Sequence, residues 1–412
     1  MNTCNSCDAQ LEDLLDLGDH PIANQLTEAP NALVKVYPMK VGGCLRCGLV
    51  QLTEPIDPQL FYTDYATPTS WKREPHIDRL VATLRSLLDR ECRILDVGCN
   101  DGRFLRHLLA DGWQNIVGLE PTRNTSEEAI RQGFTVYQQS LNFEVARQLT
   151  QDTGRWDCVS LRQVLEHISD LQDFGQSLNL LLDMNGILVI EVPDSRTNMV
   201  GHDYALWEEH VNYFTPETLG AFLHAHGFEP IDSYVSLFSG VCLTVIARKV
   251  AELNLDATEK ASLPTEELRT QTDSFHSWAD QYEGFRTRVQ DEIEMHSDAG
   301  QVVLYGVGSR SSNFINIMGL ASLVSFAIDD QPQKQNRFMP SSGIPILSTA
   351  EASPRLRESE VFALLGVNGE NEDALLETSE LLRDGTHASV LPPSGCLLRA
   401  WGDQFKSGGF SG

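Results

Sequence analysis

The chain has 412 residues, 41% of them hydrophobic, which is enough for two or three domains that each bury a core. Its 31 basic and 58 acidic residues give a net charge of −27, which opposes binding to nucleic acid and to anionic membranes. No stretch approaches the ~18 continuous apolar residues of a membrane helix, and the N-terminus lacks a basic segment followed by an apolar one. We therefore expect a cytoplasmic protein that binds neither nucleic acid nor a membrane.

Two C-x-x-C motifs stand near the start of the chain, Cys4 with Cys7 and Cys44 with Cys47. In a cytosolic chain, cysteines at this spacing are more often metal ligands than disulfides. Two thiolate pairs joined by a hairpin make a closed tetrahedral zinc site, which is structural because it leaves no position for a substrate. The alternative is chance pairs of free thiols. We predict a zinc-binding module over residues 1–60 that holds one structural Zn²⁺.

The next two segments differ in composition. Residues 61–76 are rich in aromatic and hydroxyl side chains, and their prolines interrupt any long helix, so we predict a loop that lines a substrate site. From residue 77 to residue 248, strand-like runs alternate with helical ones. This alternation predicts a doubly wound α/β domain.

Residues 94–105 (ILDVGCNDGRFL) are an apolar strand that passes through a glycine-bearing turn into an amphipathic helix. Such a turn presents backbone N–H groups and a bare glycine surface to a cofactor. A dinucleotide site needs G-x-G-x-x-G for the pyrophosphate, whereas here Gly98 and Gly102 flank the acidic Asp101, which suits a cationic sulfonium. The turn therefore predicts a site for S-adenosylmethionine.

A second carboxylate, Glu120, ends the next apolar run, where the following strand of such a sheet presents an acid to ribose hydroxyls. This acid alone would fit NAD equally well. A degenerate dinucleotide fold or a structural turn is therefore the alternative. The residues predicted to bind the cofactor are Asp96, Gly98, Asn100, Gly102, Glu120 and Pro121.

Two later segments carry histidines beside this predicted site. His167 stands among apolar residues, and we predict that it satisfies a local hydrogen bond rather than acting as a base. Residues 207–214 (WEEHVNYF) crowd polar and aromatic groups just before a helix start at Thr215-Pro216. Loops held in this way commonly supply catalytic groups, and a neutral histidine is a workable base at cytosolic pH. His210 is thus a candidate base, with a structural histidine as the alternative.

The last third of the chain divides into three parts. Residues 249–300 are polar, with apolar side chains at helical spacing, which predicts linking helices whose aromatic stripe faces a core. Residues 301–401 begin with the strand VVLYG and a turn over 306–311, which predicts a Rossmann-like α/β unit that lacks the third glycine. Residues 402–412 are predicted to be a tail.

In their order and spacing, these motifs resemble the C-methyltransferases of deoxysugar and nucleotide-sugar biosynthesis, over nearly the whole chain. The resemblance rests on the C-x-x-C pairs, ILDVGCNDG, Glu209-His210 followed by Tyr213-Phe214, YGVGSRSSN at Tyr305 to Asn313, Asp329 with Lys334 and Gln335, Pro340, and Ile344-Pro345-Ile346. It implies an α/β fold with a small N-terminal zinc-binding module, a central class I (Rossmann-like) methyltransferase domain and a C-terminal Rossmann-like domain.

The resemblance also implies roles for individual residues. His210 matches the family's general base and Glu209 its companion acid. The base would remove a proton from a carbon next to a ketone on a nucleotide-linked sugar, and the resulting enolate would attack the sulfonium methyl in line. Tyr213, Asn212 and Tyr65 are the candidate donors to the enolate oxygen. The residues expected to contact the substrate are Asn212, Trp207, Arg310 and Lys334.

The chain departs from the family pattern at two places. Where the family commonly reads Tyr-His-Glu-His, this chain has Trp207-Glu208-Glu209-His210, so the acceptor can differ. In the C-terminal turn Arg310 replaces a lysine, although its planar donor fork still suits phosphate. The alternatives are an O- or N-methyltransferase acting on a sugar or secondary metabolite, and a non-catalytic scaffold with a relic cofactor site.

Overall fold

The structure is a computed structural model that describes residues 3–390 except 59, 61–73, 75, 201–205, 239, 255–259, 357–359, 380–381 and 383–385. Its strands are β1 Leu11–Pro21, β2 Val36–Cys44, β3 Val50–Leu52, β4 Ile94–Val97, β5 Ile116–Leu119, β6 Thr135–Tyr137, β7 Trp156–Arg162, β8 Leu182–Pro193, β9 Asn212–Tyr213, β10 Phe228–Leu237, β11 Val241–Lys249, β12 Gln301–Tyr305, β13 Val324–Ile328, β14 Ile346–Leu347, β15 Val361–Leu365 and β16 Thr386–Ser389. Its helices are α1 His76–Leu87, α2 Arg103–Ala110, α3 Arg123–Arg131, α4 Phe143–Thr153, α5 Leu171–Leu181, α6 Ser195–Val200, α7 Pro216–Ala225, α8 Thr265–Ala299, α9 Ser309–Ile317, α10 Thr349–Leu356 and α11 Gly369–Thr378.

The N-terminal module is built on a four-stranded antiparallel sheet in the order β1-β2-β3-β9. Its fourth strand, β9, comes from the region after the central sheet's β8 rather than from the module itself. The module's own strands end at Leu52. The sequence predicts that residues 212–213 lie wholly in the central domain, and it contains no signal for a two-residue strand that pairs with a distant module.

The central sheet has seven strands in the order β10-β11-β8-β7-β4-β5-β6. Strands β4 to β8 pair in parallel, whereas β11 pairs antiparallel with both β8 and β10. All four residues of β4 are buried, as expected for a strand covered by helices on both faces. The predicted α/β fold is confirmed, and the carboxyl ends of β4, β5 and β7 meet at one edge, where ligands bind in such sheets.

The long helix α8 connects the central sheet to the C-terminal one. Its apolar stripe is buried and consists of Phe275, Trp278, Tyr282, Phe285, Val289 and Ile293. These side chains share one hydrophobic cluster with residues of β2, β3, β9 and β12. A Cβ built on Gly43 would lie only 2.8 Å from the Phe275 ring, so the module packs against the helix too closely for any side chain there. The stripe therefore joins the N-terminal module to the C-terminal domain.

The C-terminal domain contains a parallel five-stranded sheet in the order β14-β13-β12-β15-β16. Among the described residues, no helix is both long and apolar enough to cross a membrane.

Candidate active site

The turn between β4 and α2 is shaped by three residues in left-handed conformations: Gly98 (φ 73°), Asn100 (φ 49°) and Gly102 (φ 80°). The Gly98 N–H donates to the Leu119 carbonyl at 2.7 Å, which joins the turn to β5. A Cβ on Gly98 would lie 2.4 Å from Cγ2 of Val164, so both the backbone angle and the space require glycine there. The turn thus keeps an open backbone surface at the edge of the sheet.

Glu120 closes this turn from the end of β5. Its two carboxylate oxygens accept the N–H groups of Asn100 and Thr122, each at 2.9 Å. Because a carboxylate oxygen can accept more than one hydrogen bond, both oxygens keep capacity for a ligand. Glu120 and the adjacent Pro121 line the same cavity as Gly98 and Asn100.

Asp96 supports the turn from below. It is 3% exposed and accepts a hydrogen bond from the Ser160 hydroxyl at 2.7 Å. Burial raises the pKa of Asp96 to about 6, while the nearby Arg162 guanidinium opposes that rise. Neither Asp96 nor Gly102 is among the described residues that line the cavity, and their contact with the cofactor stays a prediction.

A cavity of about 820 Å³ extends from this turn to the C-terminal domain. Its lining brings together most of the predicted site residues: Gly98, Asn100, Glu120, Pro121, Trp207, Glu209, His210, Arg310 and Lys334. The carboxyl edge of the central sheet and the turn after β12 therefore face a common space.

His210 is held in this cavity by a tight turn and by ring contacts. Its backbone N–H donates to the Trp207 carbonyl at 3.0 Å, and its ring centroid lies 4.5 Å from that of the Trp207 indole. Downstream, Thr215 caps α7 and Pro216 is its first residue, as predicted. Burial lowers the pKa of His210 well below its usual value, and the charges of His167 and Arg310 lower it further.

His167 packs edge-on against His210, with ring centroids 4.9 Å apart. Its Nδ1 hydrogen bonds to the Glu209 carbonyl at 2.7 Å, which is the kind of local bond predicted for it. It also lines the cavity, and burial lowers its pKa to about 4. The neighbouring Glu166 is 1% exposed, neither carboxyl oxygen has a hydrogen-bond partner among the described residues, and burial raises its pKa to about 8. No pattern in the sequence predicts this buried acid.

The two acidic residues before His210 have different surroundings. Glu208 is buried outside the cavity lining, where its oxygens accept the Ala23 N–H at 2.7 Å and the Asn313 amide at 2.6 Å. Glu209 lines the cavity, and its Oε1 has no hydrogen-bond partner in the part of the chain that the structure describes. Burial raises the pKa of Glu209 to about 8, and the charge of Glu208 adds to that rise. At neutral pH Glu209 is therefore a neutral acid with an O–H to donate.

Tyr213 and Asn212 make their hydrogen bonds outside the cavity lining, and their expected contact with the enolate or substrate stays a prediction. The Tyr213 hydroxyl donates to the Trp207 carbonyl at 3.2 Å and accepts the Trp207 N–H at 3.1 Å. The Asn212 amide donates to the carbonyls of Leu165 and Ile168. Neither side chain is among the described residues lining the cavity. They shape the loop around His210, while Tyr65 lies outside the described residues.

The C-terminal domain contributes Arg310 and Lys334 to the lining of the cavity. Its turn after β12 has hydrogen bonds similar to those of the turn between β4 and α2 (residues 98–102), which is the predicted cofactor turn. The Gly306 N–H donates to the Ile328 carbonyl, and Asp329 accepts the Val307 N–H at 3.0 Å. Here, however, Lys334 donates to both Asp329 at 3.0 Å and the Val307 carbonyl at 2.6 Å. Lys334 thus forms an ion pair with the acid that corresponds to Glu120, so this turn has a less acidic surface than the first one.

The four cysteines Cys4, Cys7, Cys44 and Cys47 meet in one buried cluster whose sulfur atoms all lie within 4.8 Å of one another. Sγ–Sγ distances of 3.5 Å for Cys4–Cys47 and 3.4 Å for Cys7–Cys44 approach the ~3.8 Å edge of a tetrahedron with Zn–S bonds of ~2.3 Å. The two turns are alike: the first carbonyl of each accepts a later N–H at 2.9 Å, from Asp8 and from Gly48. The donor set fits a closed structural Zn²⁺ site.

Family models match three consecutive parts of the chain. A zinc binding domain matches residues 4–62, a methyltransferase domain residues 71–233, and a C-methyltransferase C-terminal domain residues 240–376. Together these three matches support an S-adenosylmethionine-dependent C-methyltransferase of three domains. Its cofactors are S-adenosylmethionine and Zn²⁺, and the four cysteines form the cluster that fits the metal.

This C-methyltransferase is similar to C-methyltransferase NovU from Streptomyces niveus, with 24% identity over 359 residues that cover 83% of this chain and 84% of the relative. Ubiquinone biosynthesis O-methyltransferase from Azorhizobium caulinodans is 29% identical over 174 residues, 37% of this chain and 64% of the relative. Among solved structures, the 1,6-didemethyltoxoflavin-N1-methyltransferase of Burkholderia thailandensis aligns with 17% identity and a TM-score of 0.38, over 57% of this chain and 100% of its own.

Proposed function

We propose that this C-methyltransferase methylates a carbon next to the ketone of a nucleotide-linked sugar, with His210 as the general base. The observation that carries the proposal is the shared cavity, which is lined at once by the cofactor turn, by His210 and by the Gly306–Ser311 turn of the C-terminal domain. A methyl donor and a nucleotide-linked acceptor can therefore approach the same histidine from two sides.

The protonation state of His210 suits proton removal from an activated carbon. Because burial lowers its pKa, the ring is neutral at cytosolic pH and has a lone pair to accept a proton. The same shift makes it a weak base, so the proton it removes must be acidified by an adjacent carbonyl whose oxygen receives a hydrogen bond. A ketone meets this requirement, whereas an unactivated sugar carbon does not.

Glu209 is the donor that we assign to that carbonyl oxygen. Its side chain lines the cavity, its Oε1 has no partner, and its raised pKa keeps the proton on the carboxyl at neutral pH. A neutral carboxylic acid in an apolar site can donate to a developing enolate oxygen, which lowers the barrier to proton removal. This role replaces the one that the sequence suggested for Tyr213 and Asn212.

Residues at the two ends of the cavity bind the two ligands. When bound, S-adenosylmethionine supplies an electrophilic methyl group on a sulfonium. Glu120 accepts ribose hydroxyls, and the bare backbone at Gly98 allows close approach. Arg310 provides a planar guanidinium for the diphosphate at the other end, which matters in a chain of net charge −27.

The test uses a panel of keto nucleotide-sugars with methyl-labelled donor. His210→Ala is expected to abolish methyl transfer while the Kd for S-adenosylmethionine stays near wild type. The matched control is His224→Ala, which removes an exposed histidine on α7 of the same domain. Undiminished transfer in His210→Ala would sink the assignment.

A second measurement separates carbon methylation from oxygen or nitrogen methylation. In deuterated water, with S-adenosylhomocysteine in place of the donor, the wild type is expected to exchange the hydrogen of the acceptor carbon. His210→Ala should not catalyse this exchange. Methyl transfer without any exchangeable carbon hydrogen would favour an O- or N-methyltransferase.

A further inference from the structure

The backbone that follows His210 is part of the N-terminal module. Strand β9 begins two residues after the histidine and is the fourth strand of the module's sheet, with Val50 opposite Tyr213 and Gln51 opposite Asn212. The Leu52 N–H extends this pairing by donating to the Val211 carbonyl at 2.9 Å. The loop that carries His210 therefore ends on a strand whose hydrogen-bond partner belongs to the module that holds the zinc ligands.

A side chain in the turn from Cys4 to Cys7, which we call the first zinc turn, contacts the same strand. Asn5 lies between Cys4 and Cys7, and its Nδ2 donates to Oδ1 of Asn212 at 3.0 Å. Its backbone N–H also donates to Oε1 of Gln51 at 2.8 Å, next to that bond. The turn that the metal organises is thus hydrogen bonded to the residue two positions after His210.

Asn212 connects this turn to the segment that carries His167. Its Nδ2 donates to the Leu165 carbonyl at 3.3 Å and to the Ile168 carbonyl at 2.7 Å. Because carbonyl oxygens only accept hydrogen bonds, these two bonds fix the amide orientation and leave Oδ1 for Asn5. Asn212 is 1% exposed, so losing the Asn5 bond would leave a buried acceptor without its partner.

We propose that the zinc turn is a positioning element for the catalytic base, and that Asn5 is the residue through which it acts. The metal would hold Cys4 and Cys7 in one geometry, Asn5 transmits that geometry to Asn212, and Asn212 fixes the end of the loop that carries His210. The expected loss of activity rests on the proposed role of His210. The expected change in the conformation of residues 207–213 is independent of that role.

The expected size of the effect follows from the demands of proton transfer. A shift of about 1 Å in a positioned catalytic group can cost about 100-fold in rate. Loosening the Asn5–Asn212 bond is therefore expected to lower kcat while leaving the KM for S-adenosylmethionine unchanged, because the cofactor turn is formed by β4 and β5 and contains no part of the zinc turn.

The decisive variant is Asn5→Asp, compared with Leu45→Asp. Asn5→Asp keeps the side-chain shape but replaces the donor by a carboxylate that faces the Asn212 oxygen. Leu45 occupies the equivalent position of the second zinc turn, directly after Cys44, and is 51% exposed, so Leu45→Asp adds the same charge beside the metal without touching the loop. The holoenzyme is measured in both cases for zinc content, donor Kd, kcat, KM and amide hydrogen exchange.

We expect both variants to retain one zinc and wild-type donor affinity. Asn5→Asp should lower kcat by about 10- to 100-fold. It should also speed exchange at the Val211 and Leu52 amides by about fivefold to tenfold, the factor for one lost hydrogen bond. Leu45→Asp should change neither quantity. Equal exchange and equal kcat in the two variants would overturn the inference.

Asn5→Ala, which places no charge near the metal, provides the second test if Asn5→Asp loses zinc. It should retain zinc and show the same faster exchange at the Val211 and Leu52 amides. Exchange at these amides as slow as in the wild type would refute the positioning role. An active His210→Ala enzyme would instead refute the proposed base and leave the exchange result standing, so the two failures are distinguishable.

Discussion

The carboxylate of Glu208 accepts a 2.6 Å hydrogen bond from the side-chain amide of Asn313, which lies in α9 of the C-terminal domain. Both side chains are buried, and the other oxygen of Glu208 accepts the Ala23 N–H of the N-terminal module. The residue two positions before His210 is therefore fixed to both flanking domains. This geometry explains the acid at position 208, because its two oxygens accept these hydrogen bonds and do not face the acceptor.

The first prediction concerns this connection. Asn313→Ala should lower the free energy of unfolding by about 1–3 kcal/mol, because it leaves a buried carboxylate oxygen without its donor. The measurement is chemical denaturation, with donor Kd as the check on the cofactor turn. A double-mutant cycle with Glu208→Ala should show coupling between the two positions, whereas additive effects would contradict the described contact.

The second prediction concerns the pH dependence of turnover. His210 must be neutral, and its lowered pKa places the acidic inflection of kcat below pH 6.5. Glu209 must be protonated, and it loses its proton as the pH rises through its folded pKa of about 8. The profile should therefore be bell-shaped, with an alkaline limb near pH 8.

Glu209→Gln tests the assignment of that limb. Glutamine keeps an N–H donor of similar size but does not titrate, so the alkaline limb should disappear while the acidic one remains. Some activity should persist because the hydrogen bond is weakened rather than removed. An unchanged alkaline limb in this variant would show that another group controls it.

The third prediction concerns the stability contributed by the buried acid Glu166. Its pKa is raised from 4.5 to about 8 by burial, so the folded protein holds a proton that the unfolded chain releases above pH 4.5. This contribution is complete below the unfolded pKa and is lost as the pH rises through the folded pKa. The contribution of Glu166 to the free energy of unfolding should therefore fall between about pH 5 and 8, so the wild type should lose more stability over this range than Glu166→Gln does. Denaturant titrations at four or five pH values measure it, and an equal slope in both proteins would contradict it.

The parts of the site that the sequence predicts well are those that depend on local geometry. The strand, Gly98, Gly102 and the following helix form a contiguous segment, so their spacing alone specifies the turn. The cysteine pairs behave similarly, because C-x-x-C spacing sets each half of the metal site before the fold brings the halves together. These features are encoded within about ten residues each, which is the range over which sequence patterns are reliable.

The parts of the site that the sequence does not predict depend on contacts between distant segments. Tyr213 and Asn212 stand close to His210 in sequence, yet β9 turns them toward the module's sheet, away from the cavity. The family pattern singles out Glu209 and gives no role to Glu208, whose contacts with Ala23 and Asn313 come from distant segments of the chain. Tertiary pairing of a two-residue strand leaves no periodic signal.

The last prediction compares two glycines with positive φ. Gly98 has φ 73° and a Cβ there would lie 2.4 Å from Val164, whereas Gly133 has φ 95° and nothing within 4 Å of the added atom. Both Gly→Ala variants pay backbone strain of about 1 kcal/mol or more, but only Gly98→Ala must also displace a neighbour, at a further cost of about 1–3 kcal/mol. Because Gly98 lines the cavity, its variant should raise the Kd for S-adenosylmethionine by about tenfold or more, a factor that corresponds to ~1.4 kcal/mol. Gly133→Ala should leave that Kd unchanged. The measurement is calorimetric titration of both variants with S-adenosylmethionine. Similar affinities in the two would show that Val164 moves to make room for the added methyl and that the turn tolerates a side chain.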